Sequence, residues 1–545
     1  MGPPTIVLTT LNAKYIHASL GLRYLMANMA RYGGQDLRAR SHLREFTISR
    51  DPQQIAQELL ALKPAIVGFG VYIWNVRQTV EVLRQLRAAC PEVKIVLGGP
   101  EVSHETESQE IVALADHVIT GWGDVSFPRL CRSLLGLPAV HGPGGLRPVA
   151  GRQSQILLSV DYRSGQNRLP KIIAGEQPPL SDIALPYIEY SQEDLAHRLL
   201  YVEASRGCPF KCEFCLSSLD KTAWAFELDE FLAEMDALYS RGARHFKFVD
   251  RTFNLKVESS ARILQFFLQR LSKDLFVHFE VVPDHLPDRL KELIARFPPG
   301  VLQFEVGIQS FNEEVQQRIS RKQNNARSEA NLRWLVQESS VHLHVDLIFG
   351  LPGESLDSFA TGFDRLYALN PHEIQLGILK RLRGTPIGRH TDEHGMVFDA
   401  HPPYVVRQTG LIEAETMRGF SRLARYWDLV ANSGRFGQTL GLLLQGSSAF
   451  AAFKAFSDWL WQRHGRTAGL SPESLVDDLF EYLCEVRHMN KEQVRASLLR
   501  DYLASGARAR PRCLRESLGA HAKPAVRDAR QRAERQLRHA TAVQG

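Results

Sequence analysis

Cysteine is scarce in this chain, with seven residues among 545, which excludes a disulfide-stapled fold. No uninterrupted apolar run approaches the ~18 residues needed to span a bilayer, so no membrane segment is expected. The N-terminus, Met1-Gly-Pro-Pro-Thr-Ile-Val-Leu, lacks a charged stretch followed by a long apolar one. No signal peptide is expected, and the location is read as cytoplasmic. A dominant charge is missing too. The net charge is +6, yet Ala504 to Gly545 alone hold ten Lys/Arg against three Asp/Glu. That tail balances at +7 and leaves the body at −1. A basic, alanine-rich end reads as a solvated helix or disordered tail, so a nucleic-acid partner is not expected.

What is present is a repeated strand–helix rhythm. Thr5 to Thr10, Ala65 to Gly70, Lys94 to Gly99 and His117 to Gly121 are apolar strand runs. Helical spacing separates them at Leu20–Arg31, Gln53–Leu62, Val76–Cys90 and Ile111–Ala115. Near-continuous apolar strands imply a parallel sheet covered on both faces. Residues 138–192 are rich in Gly, Pro and Ser and read as a linker. A second series has strands at Leu199–Ala204, His245–Val249, Phe276–Val281, Leu302–Ile308, His342–Ile348 and Glu373–Gly377. Six such repeats suit an open, partial barrel better than a closed eightfold one. From Glu413 the pattern is helical, with Trp427, Trp459 and Trp461 as packing residues.

The expected organisation is an α/β chain with five parts: a doubly wound Rossmann-like domain over 1–137, a linker over 138–192, a partial (β/α)6 barrel over 193–400, a helical domain over 401–503 and the basic tail over 504–545.

Three of the seven cysteines decide the chemistry. Gly207-Cys208-Pro-Phe-Lys-Cys212-Glu-Phe-Cys215 puts three thiols in a loop just past an apolar strand. Close thiolates suit iron–sulfur clusters or zinc. Structural zinc needs four protein ligands, and no fourth Cys or His stands at suitable spacing. A [4Fe–4S] cluster on three thiolates keeps one iron open to an exogenous ligand. Cys90, Cys131 and Cys484 read as small buried hydrophobes.

The spacing C-x-x-x-C-x-x-C, with Phe214 beside the last Cys, resembles the radical S-adenosylmethionine (SAM) superfamily signature. Later strands agree with that resemblance. Asp250 and Asn254 stand where the family binds the methionine amino group, in place of the usual Gly-Gly-Glu. Glu280, Gln309 and Ser310 lie on the strands that in the family contact the SAM ribose and carboxylate. Asp346 to Glu354 resembles the element flanking the adenine, and Leu379 to Pro386 the sixth-strand signature. The resemblance implies metal ligation by Cys208, Cys212 and Cys215, and SAM contacts from Asp250, Asn254, Glu280, Gln309 and Ser310.

The first domain resembles the cobalamin-binding (B12-binding) domain joined to many radical SAM enzymes. The resemblance rests on Gly70-Val-Tyr72-Ile-Trp74-Asn75, Gly98-Gly99-Pro-Glu101 and Gly121-Trp-Gly123-Asp124. It implies cobalamin contacts from Tyr72, Trp74, Asn75, Gly98, Gly99, Gly121 and Gly123. The Asp-x-His-x-x-Gly motif of cobalamin mutases is absent, so cobalt is expected without a protein histidine, and His17 reads as a surface or linker-facing side chain. The C-terminal region resembles an uncharacterised domain of one cobalamin-type radical SAM subgroup.

These resemblances imply reductive SAM cleavage at a [4Fe–4S] cluster and cobalamin-dependent methyl transfer to a small molecule or peptide. The electron would come from a donor such as flavodoxin or ferredoxin. Two alternatives stay open. One is aminocarboxypropyl transfer from SAM, for example to arsenic, with Cys513 as a remnant of a cysteine-rich tail, a substrate ligand or a plain tail residue. The other is a non-catalytic metal- or RNA-binding protein.

Overall fold

The computed structural model describes residues 5–140, 159–160, 167–220, 222–507 and 509–518. Most of the basic tail therefore lies outside the described residues. The first sheet is built from β1 (Thr5–Asn12), α1 (Leu20–Gly33), β2 (Ser41–Thr47), α2 (Pro52–Ala61), β3 (Pro64–Gly70), α3 (Val76–Ala89), β4 (Lys94–Gly98), β5 (His117–Thr120), α4 (Ser126–Leu134) and β6 (Ile172–Ala174). Its order is β2-β1-β3-β4-β5-β6, every pair parallel. Alternation sets its two faces. Ile6, Leu8, Ile66, Val96 and Ile119 pack with Met26, Met29 and Leu130 of α1 and α4. Val7, Val67, Phe69, Ile95 and Leu97 pack with Leu59 and Leu83 of α2 and α3 on the other side. Each such side chain, fully buried, contributes roughly 1.5–3 kcal/mol.

Two strands escaped the sequence reading. β2 is an edge strand of mixed polarity, Ser-His-Leu-Arg-Glu-Phe-Thr, half covered and so without an apolar run. β6 falls inside the segment read as a linker; it pairs with β5 from Val118 to Thr120 and completes the sheet. That segment is thus partly a structural member of the first domain.

The second sheet comprises β7 (Leu200–Val202), α5 (Leu228–Ser240), β8 (His245–Phe248), α6 (Val257–Leu268), β9 (Phe276–Val281), α7 (Asp288–Ile294), β10 (Leu302–Gln309), α8 (Asn325–Glu338), β11 (His342–Phe349), α9 (Leu356–Tyr367) and β12 (Glu373–Ile378). Its six parallel strands run in chain order, an open partial barrel. In β10 the apolar residues Leu302, Phe304, Val306 and Ile308 are buried outward against helices, while Gln303, Glu305, Gly307 and Gln309 are less buried. The lumen is therefore polar.

The C-terminal helices α10 (Ala414–Val430), α11 (Ala449–His464), α12 (Pro472–Glu481) and α13 (Lys491–Ala504) extend the barrel's core. Phe420 stacks on Phe349 at 3.9 Å, and Trp427 Nε1 donates to the Ile374 carbonyl at 2.9 Å. Trp459 and Trp461 are partly buried against the same core. Cys513 packs there as well, its backbone N–H bonded to Asp477 at 2.9 Å.

Loops at the carboxyl ends of the first sheet reach the second. After β1, His17 bridges to Leu199, and its Nδ1 lies 2.7 Å from the Tyr201 hydroxyl. After β4, buried Glu101 accepts from Arg383 Nε at 3.0 Å and from the Tyr404 hydroxyl. After β5, Asp124 pairs with Arg206 at 3.0 Å. Leu199 and Arg206 flank β7, and Arg383 follows β12. The first domain thus sits across the side that the partial barrel leaves open. Among the described residues no helix is long and apolar enough to cross a membrane.

Candidate functional site

Cys208, Cys212 and Cys215 line one cavity of about 240 Å³ over the carboxyl ends of β9, β10 and β11. Local bonds hold their loop. The Cys215 N–H donates to the Cys212 carbonyl at 3.1 Å, and the Glu213 N–H donates to the Ile319 carbonyl at 3.0 Å. The Glu213 carboxylate, buried, accepts from Ser320 at 2.6 Å, from His390 Nε2 at 2.8 Å and from Arg389. Gly207, at φ +91°, has no room for a Cβ, which would meet the Ala223 nitrogen at 2.6 Å. Burial pushes the Cys208 and Cys212 thiols up, and neighbouring thiolates add to it. Such thiols ionise readily only against a compensating cation. Among the described residues lining the cavity there is no further Cys or His. Three thiols with no fourth Cys or His among the described lining residues fit a cluster with one open iron.

Three carboxylates on adjacent strands face the same cavity: Glu280, Glu305 and Asp346. Burial raises Glu280, although Arg251 grips both its oxygens at 2.8 and 2.6 Å. Burial would raise Glu305 as well, but His278 at 3.0 Å and Lys247 at 3.2 Å overcome it and hold it low. Asp346 is pushed well above the usual carboxylate range by burial and by the Glu305 and Glu280 charges. Gln309 adopts φ +69°, and its buried Oε1 has no hydrogen-bond partner. An unpaired acceptor on a strained residue beside surplus carboxylate suits a cationic ligand. Arg321, also in the wall, donates to the Gly307 carbonyl and lies 3.7 Å from Cys212 Sγ.

Of the expected SAM contacts, Glu280 and Gln309 stand in this cavity and three do not. The Asp250 carboxylate is spent on the Ala204 N–H at 3.0 Å and the Ser205 hydroxyl, and burial raises it to about 7. Asn254 clasps Val282 from both sides, accepting its N–H at 2.7 Å and donating to its carbonyl at 2.8 Å. The Ser310 hydroxyl donates to Glu354 and accepts from the Asn312 N–H. Arg251, Glu305 and Arg321 were missed by motif reading. For Glu305 a usable signal was the alternation of polar with apolar residues along β10; Arg251 and Arg321 lie in loops and had none.

A second cavity, about 230 Å³, opens at the carboxyl ends of β3, β4 and β5 between α1 and α4. Tyr72, Gly98, Gly99, Gly121 and Gly123 line it, joined by Tyr24, Trp122, Asp124 and Arg206. A Cβ at Gly98 would point into open space, its nearest atom 3.8 Å away, and one at Gly121 would meet nothing within 4 Å. Gly98 and Gly121 hold this space clear, which suits the insertion of a long nucleotide tail, while Gly99 lets the backbone pass close to Val71. Trp74 lies outside this cavity, 47% exposed and stacked on Tyr72 at 4.4 Å. Asn75 is buried, accepting the Tyr72 N–H at 2.8 Å and donating to Leu11 and Gly70 carbonyls at 3.1 Å. It fastens β1 to β3.

Residues 6–131 match the B12 binding domain, 202–366 the radical SAM superfamily, and 392–544 a protein family of unknown function, DUF4080. The chain carries a B12-binding domain and a radical SAM domain. These domains carry cobalamin and, with SAM, a [4Fe–4S] cluster. The cobalamin-dependent radical SAM methyltransferase TokK of Streptomyces tokunonensis is 24% identical over 339 residues, 58% of this chain and 47% of TokK. The 2-(S-pantetheinyl)-carbapenam-3-carboxylate methyltransferase of Streptantibioticus cattleyicolor is 23% identical over 325 residues, 57% of this chain and 46% of that one. This B12-binding radical SAM chain thus spans just under half the length of either relative. Among solved structures, the cobalamin-dependent SAM radical enzyme OxsB, with aqua-cobalamin and SAM bound, shares the fold at a TM-score of 0.60. It is 15% identical, and the match covers 99% of this chain and 83% of that one.

Proposed function

We propose that this B12-binding radical SAM chain is a cobalamin-dependent methyltransferase acting on a small molecule held between the two sheets. The observation that carries the reading is the closeness of the two cavities in the chain: Arg206, two residues before Cys208 of the three-thiol cavity, lines the glycine-walled cavity and pairs there with Asp124 at 3.0 Å. In this reading Cys208, Cys212 and Cys215 hold the cluster, and Tyr72, Gly98, Gly99, Gly121 and Gly123 wall the cobalamin tail. When bound, the cluster supplies the electron that cleaves SAM and cobalamin carries the methyl group.

The chain's own residues position and shield. Glu280, Glu305 and Asp346 offer negative charge to the sulfonium and ammonium groups of SAM. Arg251 and Arg321 offer guanidinium donors to its carboxylate. Gln309 accepts a hydrogen bond at Oε1. Tyr201 and His17, bonded to each other at 2.7 Å, close one side of the space between the sheets and exclude water there. The electron enters from a small external donor protein. Asp250, Asn254 and Ser310 brace the loops around the cavity through the bonds described above.

Anaerobic reconstitution with iron, sulfide and hydroxocobalamin, then incubation with SAM and excess dithionite as electron donor and chromatography of the SAM products, tests the proposal. 5′-Deoxyadenosine together with S-adenosylhomocysteine is expected, and Cys215→Ala abolishes the cluster absorbance and the deoxyadenosine. Methylthioadenosine in their place would mean aminocarboxypropyl transfer and would overturn the assignment. Cys513 lines neither cavity, and burial beside Asp477 raises its thiol to about 12, which argues against a role as a substrate ligand.

A further inference from the structure

We infer that Arg206 couples the two cofactor cavities, so that cobalamin seated among the glycines orders the cysteine loop for its cluster and for SAM. This rests on the reading above of what each cavity holds.

Arg206 stands two residues before Cys208, yet its side chain lines the glycine-walled cavity. Its guanidinium is fixed on every side. One edge donates to Asp124 at 3.0 Å, and the other to Glu203 at 2.7 and 3.1 Å. Its Cζ lies over two rings, 4.7 Å from the Tyr24 centroid and 4.6 Å from that of Trp122. Only 14% of the side chain is exposed. A planar fork bonded at both edges and set against two aromatic rings is held in one place, and removing either carboxylate leaves a buried charge poorly matched.

A second tie runs parallel to the first. Trp122 Nε1 donates to Asp220 at 2.9 Å, and the Asp220 carbonyl accepts the Cys208 N–H at 3.3 Å. Cys208 is therefore held through Arg206 on its N-terminal side and through Asp220 at its own amide. Both anchors end on Trp122 and Asp124, in the loop that follows β5 and walls the cobalamin cavity. A ligand that presses on this loop acts on Cys208 without touching it. Linkage requires the reverse effect as well: a filled cluster site tightens cobalamin binding by the same factor.

The test uses hydroxocobalamin and SAM on the full chain, prepared with and without its reconstituted cluster. In wild type, saturating hydroxocobalamin tightens SAM binding to the cluster-loaded chain about 5-fold or more. In cluster-free chain it slows amide hydrogen exchange across residues 207–216 by a similar factor. Arg206→Met, compared with wild type at hydroxocobalamin concentrations that saturate each by its own measured affinity, loses both effects. Asp124→Asn keeps an acceptor for Arg206 but removes the charge that anchors it. It carries the test if the first variant does not fold, and is expected to weaken both effects. Wild-type SAM affinity and loop exchange that ignore bound hydroxocobalamin would overturn the coupling while leaving both cavity assignments standing. A wild-type chain that takes up no hydroxocobalamin would instead sink the assignment of the glycine-walled cavity, and the coupling with it.

Discussion

Arg251 grips Glu280 through both carboxylate oxygens, at 2.8 and 2.6 Å, across the cavity that the three thiols share. The pair fixes a guanidinium beside the cluster site and leaves Glu280 in the wall. Glu280→Gln frees Arg251 and removes one negative charge from the cavity. A charge-assisted hydrogen bond contributes roughly 1.5–3 kcal/mol, so SAM affinity should fall about 10- to 100-fold. Iron and cobalt content should not change. Equilibrium dialysis of SAM against variant and wild type decides it, and equal dissociation constants would remove Glu280 from the site.

Asp346 makes SAM binding pH-dependent. Burial and the neighbouring Glu305 and Glu280 charges keep it protonated well above the usual carboxylate range. A cationic ligand favours the ionised form, so binding in this range expels a proton. Affinity is weak below the raised pKa, strengthens as pH rises through it and levels off above. Asp346→Asn should flatten that rise. A wild-type affinity that does not vary with pH would contradict the assignment.

Asp250 gives a stability signature with a definite sign. Its folded pKa is about 7 against an unfolded value of 3.8. Between these the folded chain holds a proton that the unfolded chain has lost, so stability falls as pH rises across that window and levels off above it. The cost reaches a few kcal/mol, on the order of 1.4 per pKa unit. Thermal midpoints of Asp250→Asn should lose this slope between pH 4 and 7, while wild type keeps it.

Arg321, 3.7 Å from Cys212 Sγ, places positive charge and an N–H beside a cluster ligand. Hydrogen bonds and positive charge stabilise the reduced cluster. Arg321→Met should make the cluster harder to reduce, seen as a more negative midpoint in an anaerobic redox titration. An unmoved midpoint would show that the contact does not reach the cluster.

Gly98→Val fills the second cavity. The added Cβ points into open space, with its nearest atom 3.8 Å away, so the sheet tolerates it. Hydroxocobalamin uptake should fall at least about tenfold, equivalent to 1.4 kcal/mol, while the cluster assembles normally. Unimpaired uptake would place the cobalamin tail elsewhere.

Much of this architecture is written locally. Cys208, Cys212 and Cys215 stand within eight residues of one another just past a strand, which keeps them together, and the apolar runs of β1, β3, β4 and β8 to β12 announce parallel strands buried on one or both faces. Glycines at 98, 99, 121 and 123 mark strand ends where backbone must stay bare. Edge strands are harder to see. β2 lacks an apolar run because it lies at the sheet edge and is half covered, and β6 is only Ile172-Ile173-Ala174, too short to stand out in a stretch whose Gly and Pro suggest linker.

Tertiary structure decided which polar side chains remain available. Asp250, Asn254, Ser310 and Asn75 carry the right chemistry, but each is consumed by backbone groups or side chains, among them partners 28 to 64 residues away in sequence. Arg206 takes its meaning from Asp124, 82 residues earlier in the chain. A sequence fixes a side chain's chemistry and, through its period, the face it occupies. Hydrogen-bond partners and burial depend on segments brought together from across the chain, and these determine whether a carboxylate braces a loop or meets a ligand.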